Sequence, residues 1–420
     1  ILAIPSLNKN KRKVILSNLE DLRLSTFQIP TLDELSSSNI DFNDIKPIKI
    51  EDLLHRDIVP PIKSLIKKSI NNNVICVTGA GGSIGSELCL QMLDFNPKKI
   101  ILLERNELAL YKIQKETEKF FPQIDICPVL GDCTNLFFIK RIFFEHKVNV
   151  IFHAAAYKHV PLVESNPFQA LKNNILSTRV ICEASTSVKA KLMMLISSDK
   201  AVRPTNVMGL SKRISELIVQ AFAELIKNET DQNKEYTKFS MVRFGNVLGS
   251  SGSVLPLFQS QIDSGGPVTL THPEIVRYFM TIPEAAQLVL QASQMSNGGD
   301  VFLLDMGEPV KIKDFAKKLI KLNGLTIKDK RNINGDIELV YTGLRPGEKL
   351  FEELLIDSKS ISTEHPLIFK SEKNYILDFK DFFIKLDEIQ DSLENYKKGK
   401  IVGQLLDMVP EWNPSQEINF

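Results

Sequence analysis

The stretch that decides the fold is Val74–Gly85, VICVTGAGGSIG, in which an apolar strand runs directly into a glycine-rich turn. A helix is predicted to begin near Ser83. Gly79 permits the tight turn, Gly82 lets the backbone approach a pyrophosphate, and Gly85 lets the helix pack closely on the strand. The helix amino end offers N–H groups and a positive dipole end to phosphates. This pattern predicts a dinucleotide site whose loop contacts come from Thr78, Gly79, Gly81, Gly82, Ser83, Ile84 and Gly85.

Residues after the next two strands extend the predicted cofactor site. Glu104 ends the second strand, about 20 residues beyond the last glycine, where an acid binds the adenosine ribose. This position favours NAD. Arg105 follows immediately and can accommodate a 2′-phosphate, so NADP remains open. Asp132, with Cys133 beside it, follows the third strand and is placed to meet the adenine.

Composition sets broad limits on the function of the chain. The 420 residues are 43% apolar and carry a net charge of +1, so no whole-protein field attracts nucleic acid. The five cysteines form no CxxC pair, and neither they nor the histidines suggest a metal site. No run approaches the roughly 20 apolar residues of a membrane-spanning helix, and no signal peptide is present.

Strand–helix alternation predicts an α/β fold: a Rossmann-type, doubly wound parallel sheet. We expect the NAD-binding domain over residues 74–250, after a connector at 51–73. A smaller, mainly substrate-binding C-terminal lobe is expected over 251–370, closing over the carboxyl edge of the sheet, followed by a helical tail at 371–420. Residues 1–50 read as the remnant of a preceding α/β domain, and the first residue is Ile, so we expect a piece of a longer protein.

The spacing T-G-x-x-G-x-x-G and the segment HAAA, His153–Ala156, resemble the extended short-chain dehydrogenase/reductase superfamily. The resemblance implies that Ala154, Ala155 and Ala156 lie under the cofactor, where small side chains admit the nicotinamide ribose. That superfamily normally carries Tyr-x-x-x-Lys on one helix face. Here the matching segment is MGLSK, so Lys212 is present and Met208 replaces the tyrosine base.

A methionine has no proton to exchange, so two interpretations follow. Either the chain is a non-catalytic NAD-binding regulator, or other groups carry the chemistry. Ser198, Asp199 and Lys200 lie at the carboxyl end of the strand KLMMLIS, the edge where doubly wound sheets bind ligands. A hydroxyl, a carboxylate and an amine can divide three proton transfers. On composition alone, an ordinary polar exit from a strand is the better description of this segment.

Longer motifs resemble the nucleotide-sugar 4,6-dehydratases of polysaccharide biosynthesis, which act on UDP-N-acetylglucosamine. They are LISSDKAVRPTNVMGLSKR, HAAAYKHVPLVESNP, VRFGNVLGSSGSVLPLF and GLRPGEKLFEELL, and the match covers about residues 50–353. Met208 matches the larger, membrane-attached members, which retain configuration at C5. The resemblance implies a parent on the cytoplasmic face of the bacterial inner membrane, with the membrane reached only through a segment preceding this chain.

The resemblance also implies roles for the reacting group. Asp199 protonates the leaving 6-hydroxyl. Lys200 removes the C5 proton, which requires a lowered pKa that burial and the Lys212 charge would favour. Ser198 hydrogen-bonds the 4-hydroxyl and relays its proton, Lys212 holds the nicotinamide ribose, and Met208 shapes the sugar pocket. The division of acid and base roles between Asp199 and Lys200 stays open.

Further residues are expected to bind the substrate, UDP-N-acetylglucosamine. They are Lys158, Asn173, Arg243, Asn246, Val254, Thr269, Arg277, Arg345 and Glu348. Arginine suits a diphosphate because its fork makes paired hydrogen bonds, and Pro346 and Gly347 predict a turn that presents Arg345 and Glu348 together. We expect a homodimer, with a hexamer as the alternative. A C5-inverting dehydratase or an epimerase on the same sugar nucleotide is the neighbouring alternative in chemistry.

Overall fold

The computed structural model describes residues 59–229, 236–353, 359–372 and 378–414, together with Ile15 and two short strands in the amino-terminal region. Those strands, Phe27–Gln28 and Lys46–Pro47, pair antiparallel. The predicted α/β remnant at 1–50 otherwise lies outside the described residues, as does the first part of the connector. The rest of the connector is half helical, since α1 begins at Lys63.

The described chain beyond the amino-terminal region alternates strands with helices. Its strands are β1 Val74–Thr78, β2 Lys99–Glu104, β3 Ile126–Leu130, β4 Val150–His153, β5 Leu192–Ile196, β6 Lys238–Arg243, β7 Asn246–Leu248, β8 Val268–Leu270, β9 Val276–Arg277, β10 Phe279–Thr281, β11 Val301–Leu304, β12 Val310–Lys311, β13 Ile327–Lys328, β14 Ile337–Tyr341, β15 Ile361–Ser362 and β16 Ile368–Lys370. Its α-helices are α1 Lys63–Ile70, α2 Ser83–Leu93, α3 Glu107–Phe120, α4 Leu136–His146, α5 Val160–Ser165, α6 Pro167–Ser187, α7 Val207–Glu229, α8 Val254–Asp263, α9 Ile282–Gln294, α10 Ile312–Leu322, α11 Phe379–Glu394 and α12 Lys398–Met408.

One large sheet organises the larger compact unit, which comprises Val59–Gly245, Ile282–Met306 and Arg345–Phe420. Its strand order is β15-β16-β11-β6-β5-β4-β1-β2-β3. All neighbouring pairs from β11 to β3 are parallel, and the pairs β16–β11 and β15–β16 are antiparallel. The order reverses at β1, which places the glycine turn at the topological switch point of the sheet. The predicted Rossmann-type, doubly wound fold is confirmed.

Burial on both faces explains why the central strands read as continuous apolar runs. Every residue of β1, β4 and β5 is buried. The long helices α6 and α7 cover one face together, and α11 packs against both. Phe383 of α11 meets the ring of Phe222 edge-on, with 5.2 Å between ring centroids. The helical tail that the sequence predicts after residue 370 is thus present as α11 and α12, with α11 part of the core.

The smaller compact unit includes Asn246–Thr281 and Gly307–Leu344. Inside it, β8 pairs in parallel with β14, and β14 with β13. Parallel β7 and β10 form a second pair, and antiparallel β9 and β12 a third. Helices α8 and α10 pack on each other.

The boundary of this lobe differs from the single cut at residue 250 that the sequence suggests. Helix α9 and strand β11 lie within the predicted lobe, yet they belong to the larger unit. The physical reason is pairing and burial: β11 joins the large sheet in parallel register with β6, and α9 is buried over most of its length. Residues 345 onward also return to the larger unit.

Candidate active site

The glycine turn is built so tightly that side chains are excluded from it. Gly79 has φ of +67°, and a Cβ there would lie 2.8 Å from Cα of Ala155. A Cβ on Gly85 would lie 2.1 Å from the carbonyl oxygen of Gly79, so only glycine lets α2 pack on the turn. Gly82 is the N-cap of α2, and a Cβ there would meet only the Gly79 carbonyl oxygen within 4 Å. The helix amino end is therefore open to a phosphate-bearing ligand.

Glu104 fastens this turn from the neighbouring strand. Its carboxylate accepts hydrogen bonds from the backbone nitrogens of Gly81 at 3.1 Å, Arg105 at 2.9 Å and Asn106 at 3.0 Å. These bonds hold the carboxylate at the carboxyl edge of β2, beside the turn. Ribose binding by Glu104 remains a prediction.

Arg105 draws several predicted site residues together. Its guanidinium donates to Oδ1 of Asn173 at 3.2 Å, hydrogen-bonds the hydroxyl of Tyr157, and lies 3.8 Å from a carboxylate oxygen of Asp132. It also sits over the Tyr157 ring, 4.9 Å from the centroid. Asp132 in turn accepts hydrogen bonds from Thr134, and Cys133 is buried beside it. The ends of β2, β3 and β4 are thus linked through one side chain.

A buried polar network centres on His153, which directly precedes the three alanines expected to lie under the cofactor. His153 Nδ1 shares a hydrogen bond of 2.7 Å with Oγ1 of Thr78, and Nε2 lies 3.3 Å from Oγ1 of Thr178. Burial, with a smaller effect of the Lys212 charge, lowers the pKa of His153 to about 3. The imidazole is therefore neutral at physiological pH and serves as a connector between β1, β4 and α6. Ala154–Ala156 follow it and are partly buried.

Asn174 is a site residue that the sequence analysis missed. Its side chain bonds the backbone nitrogen and oxygen of Tyr157, at 2.8 and 3.1 Å, and donates to Ser211 Oγ at 2.9 Å. It is buried, whereas the predicted Asn173 faces Arg105 from the next position of α6. Successive side chains of a helix are rotated by roughly 100° about its axis, so Asn173 and Asn174 point in different directions. The signal available in the sequence was the four-residue spacing of Asn174 and Thr178, which places both side chains on one face of α6.

Lys158, which was predicted to bind the substrate, lies in the loop after β4 and is exposed.

Ser198, Asp199 and Lys200 form one hydrogen-bonded group at the end of β5. Oγ of Ser198 donates to Oδ1 of Asp199 at 2.7 Å, and Nζ of Lys200 donates to the same oxygen at 3.0 Å. Nζ of Lys200 also lies 2.9 Å from Oε1 of Glu352. Asp199 and Glu352 are buried, while Lys200 retains 23% of its side-chain exposure. Glu352 lies in the motif GLRPGEKLFEELL, but no role was predicted for it from the sequence.

The charge state of this group differs from the expectation. Burial pushes the pKa of Lys200 down, but the carboxylates of Asp199 and Glu352 outweigh burial and hold it above its ordinary value. The expected lowering of the Lys200 pKa is therefore wrong for this arrangement, because two carboxylates and not Lys212 face its Nζ atom. Burial pushes the pKa of Asp199 up, but its interactions with Lys200, Glu352 and Ser198 outweigh burial and hold it below its ordinary value. At rest, Lys200 is an ammonium whose Nζ contacts the carboxyl groups of Asp199 and Glu352.

The pKa of Lys212, unlike that of Lys200, is lowered. Its Nζ donates to the carbonyl oxygen of Ile196 at 2.7 Å, and burial lowers its pKa to about 8, against the opposing charge of Glu216. Met208 lies one helical turn earlier on α7 and is only 4% exposed. It joins the apolar core cluster, and its predicted contact with the sugar remains a prediction.

The buried carboxylate of Glu216 binds side chains next to the Ser198–Asp199–Lys200 group. Glu216 accepts hydrogen bonds from Nε and Nη2 of Arg243 at 2.7 and 2.6 Å, and from Oγ of Ser197 at 2.6 Å. Arg213 lies 3.4 Å from its second oxygen. Arg243 was predicted to contact the diphosphate, and any such contact has to accommodate this ion pair. Ser197 connects the pair directly to the backbone of Ser198.

The LRPGE turn also lies beside the reacting group. Gly347 has φ of +74°, and the backbone of Glu348 donates to the Arg345 carbonyl oxygen at 3.0 Å. The carboxylate of Glu348 accepts from the Arg345 backbone nitrogen at 3.1 Å, so the turn does bring the two residues together. Nδ2 of Asn206, just before α7, donates to the Gly347 carbonyl oxygen at 2.9 Å.

The remaining predicted substrate residues lie in the smaller unit. Asn246 is on β7, Val254 begins α8, and Arg277 ends β9, where its guanidinium donates to the Val276 carbonyl oxygen at 2.8 Å. Thr269 on β8 is held by Gln261, which bonds both its hydroxyl and its backbone nitrogen.

A family model described as "Polysaccharide biosynthesis protein" matches residues 75–373, which include the glycine turn, the Ser198–Lys200 group and Glu352. The chain belongs to this polysaccharide biosynthesis family. It is similar to the capsular polysaccharide biosynthesis protein CapD of Staphylococcus aureus, with 44% identity over 408 residues, covering 96% of this chain and 64% of CapD. The chain therefore spans less than two thirds of that relative.

Solved structures agree with the fold of this family member. Pen from Bacillus thuringiensis is 27% identical, with a TM-score of 0.63 covering 76% of this chain and 98% of Pen. DesIV of Streptomyces venezuelae, a dTDP-glucose 4,6-dehydratase with NAD and TYD bound, has a TM-score of 0.56 at 18% identity and covers 78% of this chain and 98% of DesIV. At that identity, the second likeness supports the fold alone.

The described residues contain neither a membrane-spanning helix nor a metal-binding cluster. No helix among them is long and apolar enough to cross a membrane. Within the same part of the chain, no cluster of three or more His, Cys, Asp or Glu side chains is arranged to hold a metal ion.

Proposed function

We propose that this chain dehydrates UDP-N-acetylglucosamine to UDP-2-acetamido-2,6-dideoxy-α-D-xylo-hexos-4-ulose, retaining configuration at C5. The observation that carries the proposal is the hydrogen-bonded Ser198–Asp199–Lys200 group, which lies beside the helix where Met208 replaces the expected tyrosine. Such a group supplies the proton transfers that methionine cannot make. A non-catalytic regulator has no need for a buried carboxylate and lysine at this edge of the sheet.

The cofactor in this proposal is NAD. The turn at Gly79–Gly85 excludes side chains, and the open N-cap of α2 suits a pyrophosphate. DesIV, which shares this fold, was solved with NAD bound. When bound, NAD⁺ accepts the hydride from sugar C4 and returns it to C6, so the cofactor is regenerated within each cycle. Lys212 is the proposed partner of the nicotinamide ribose.

The chain's own residues move the protons in this scheme. Ser198 takes the proton of the 4-hydroxyl as C4 becomes a ketone, and passes it across the 2.7 Å hydrogen bond to Asp199. The ketone makes the C5 proton acidic, and Lys200, as a neutral amine, removes it. The electron pair left at C5 forms the C5–C6 double bond while the C6–O bond breaks, and Asp199 protonates the departing hydroxyl, which leaves as water. Lys200 returns a proton to C5.

This scheme accounts for both members of the acid–base pair. Asp199 begins as a carboxylate and becomes the acid only after Ser198 has delivered the 4-hydroxyl proton. Lys200 begins as an ammonium, so it has to lose its proton before it can act as a base. The requirement for this loss predicts that turnover rises toward alkaline pH.

Binding of the nucleotide is assigned to the residues predicted from the sequence. The LRPGE turn presents Arg345 and Glu348 next to Asn206, and we assign it to the UDP portion. Asn246, Val254, Thr269 and Arg277 are the proposed contacts from the smaller unit. Similarity to CapD supports a role in capsular or related polysaccharide synthesis. A homodimer and a parent protein on the cytoplasmic face of the bacterial inner membrane are part of the same proposal.

Incubation with UDP-N-acetylglucosamine in heavy water tests the reaction. We expect a 4-keto-6-deoxy product that carries deuterium at C5, with NMR reporting the configuration and no net reduction of added NAD⁺. Inverted C5 would identify the inverting dehydratase, and a 4-epimer would identify an epimerase. Unchanged sugar in the presence of tight NAD binding would identify a regulator and refute the proposal. Lys200→Met is expected to abolish turnover while NAD stays bound.

A further inference from the structure

Glu352 is a close partner of Lys200 for which the reaction scheme provides no task. Its side chain is 3% exposed, and its Oε1 lies 2.9 Å from Nζ of Lys200. It comes from the segment after the LRPGE turn, which Asn206 ties to the start of α7. A buried carboxylate is costly unless it is paired, so its retention at this position needs a reason.

The geometry makes Lys200 the shared point of two carboxylates. Nζ lies 3.0 Å from Oδ1 of Asp199 and 2.9 Å from Oε1 of Glu352. On the neighbouring helix, Lys212 donates to the Ile196 carbonyl oxygen. From the Glu352 segment, Lys349 donates to the Val202 and Arg203 carbonyl oxygens and lies 3.5 Å from Glu353. Asp199 and Glu352 thus both contribute negative charge next to Nζ of Lys200.

We propose that Glu352 is a positioning residue that holds Nζ of Lys200 and sets the pH range in which Lys200 can accept the C5 proton. The inference rests on the proposed dehydration. Once Ser198 has delivered a proton to Asp199, that residue is neutral, and Glu352 is then the remaining carboxylate that stabilises the ammonium form. The elimination step is therefore delayed until Lys200 yields its proton, and Glu352 decides at which pH this occurs.

The raised pKa of Lys200 agrees with this geometry, since Glu352 contributes to it both through charge and through its hydrogen bond. Removal of an opposite charge at hydrogen-bond distance lowers the pKa of a lysine by roughly one unit or more. Glu352→Gln keeps the shape and an acceptor oxygen but removes the charge. The ammonium form of Lys200 is then less favoured, and the neutral amine is available at lower pH.

The test is the pH profile of kcat/KM for the wild type, Glu352→Gln and Glu353→Gln. The neighbouring Glu353 pairs with Lys349 and Arg203, so it provides a matched control. We expect the acid limb to shift to lower pH by roughly one unit or more in Glu352→Gln, and to stay in place in Glu353→Gln. Glu352→Asp, which keeps the charge, should retain the wild-type limb. Superimposable profiles of the wild type and Glu352→Gln would overturn the inference.

A second measurement does not depend on turnover. Competitive acetylation of amines, followed by mass spectrometry, gives the titration midpoint of Lys200 in each variant. We expect a lower midpoint in Glu352→Gln, and an unchanged midpoint would count against the inference. If the wild-type protein does not convert UDP-N-acetylglucosamine but the midpoint still shifts, the proposed function fails while the relationship between Glu352 and Lys200 stands. If Glu352→Gln does not fold, Glu352→Asp is expected to fold and to retain the wild-type midpoint, and a midpoint that rises or falls by about a unit would oppose the proposal.

Discussion

Lys212 Nζ lies 2.7 Å from the carbonyl oxygen of Ile196, so the buried ammonium of α7 is fastened to the last residue of β5. The next residues of the chain are Ser197 and the Ser198–Asp199–Lys200 group. The same lysine therefore connects the proposed ribose position to the strand end that carries the reacting group. This arrangement leaves a charge almost out of reach of water, and its energetic cost can be measured.

Lys212 should make the protein more stable at alkaline pH. Its pKa is about 8 in the folded state, against an ordinary value of 10.5 for lysine, so the unfolded chain binds more protons between these values. The free energy of unfolding therefore rises as pH increases through this window, by up to about 3 kcal/mol. Lys212→Met should remove this rise in urea unfolding at pH 7–10. Lys227→Met, at an exposed position of the same helix, should keep it.

His153 should make the protein sensitive to acid. Its pKa is about 3 in the folded state, against an ordinary value of 6.5 for histidine, so the unfolded state binds more protons between these values. Stability that is present above pH 6.5 is therefore lost as the pH falls toward 3. His153→Gln should flatten the unfolding free energy over pH 4–6.5 relative to the wild type. A slope equal to that of the wild type, or flattening in the control His272→Gln, would contradict this assignment.

Loss of the Glu216 charge should be among the most damaging single changes in the larger unit. It leaves the guanidinium groups of Arg213 and Arg243 without their buried carboxylate. We expect Glu216→Gln to lower the free energy of unfolding by about 3–5 kcal/mol. Glu183→Gln removes a half-exposed partner of Arg179 and should cost less than about 1 kcal/mol. Urea unfolding monitored by circular dichroism compares the two, and similar losses would argue against a buried ionic support.

Gly85→Ala should abolish NAD binding. The new Cβ would lie 2.1 Å from the Gly79 carbonyl oxygen, which forces α2 away from the turn. Calorimetric titration with NAD⁺ measures the loss. In the control Gly403→Ala, within α12, a Cβ meets nothing within 4 Å. That change should leave NAD binding intact and raise stability by about 0.5–1 kcal/mol. Normal NAD affinity in Gly85→Ala would contradict the proposed location of the pyrophosphate.

The parallel core was predictable from sequence because its signals are local. Strands β1 to β6 coincide with apolar runs, and α2 begins at Ser83 as expected. The position of β11 was not predictable. Its four residues, VFLL, follow Gly298 and Gly299, so nothing local separates a lobe strand from a sheet strand. Only the pairing of β11 with β6 assigns β11 to the large sheet, and this pairing is a property of the folded chain.

The site was predictable to a similar degree. The Ser198–Asp199–Lys200 group is contiguous, so its mutual contacts follow from its position at a strand end. Glu352 comes from a distant segment of the chain, and its contact with Lys200 depends on where the LRPGE turn docks. For the same reason, the direction predicted for the shift in the Lys200 pKa was wrong. The partners that determine the charge of a lysine are a tertiary property, whereas its burial can be inferred from the pattern.

The order of strands in the large sheet has a consequence for how the protein is made. As the chain leaves the ribosome, β6 emerges with one edge unpaired, because β11 follows only after the segment Asn246–Thr281 of the smaller unit and helix α9. An apolar edge strand of this kind is a template for pairing with other chains. The nascent protein should therefore depend on chaperone protection during that interval, and synonymous changes that slow translation between β6 and β11 should reduce the yield of native protein.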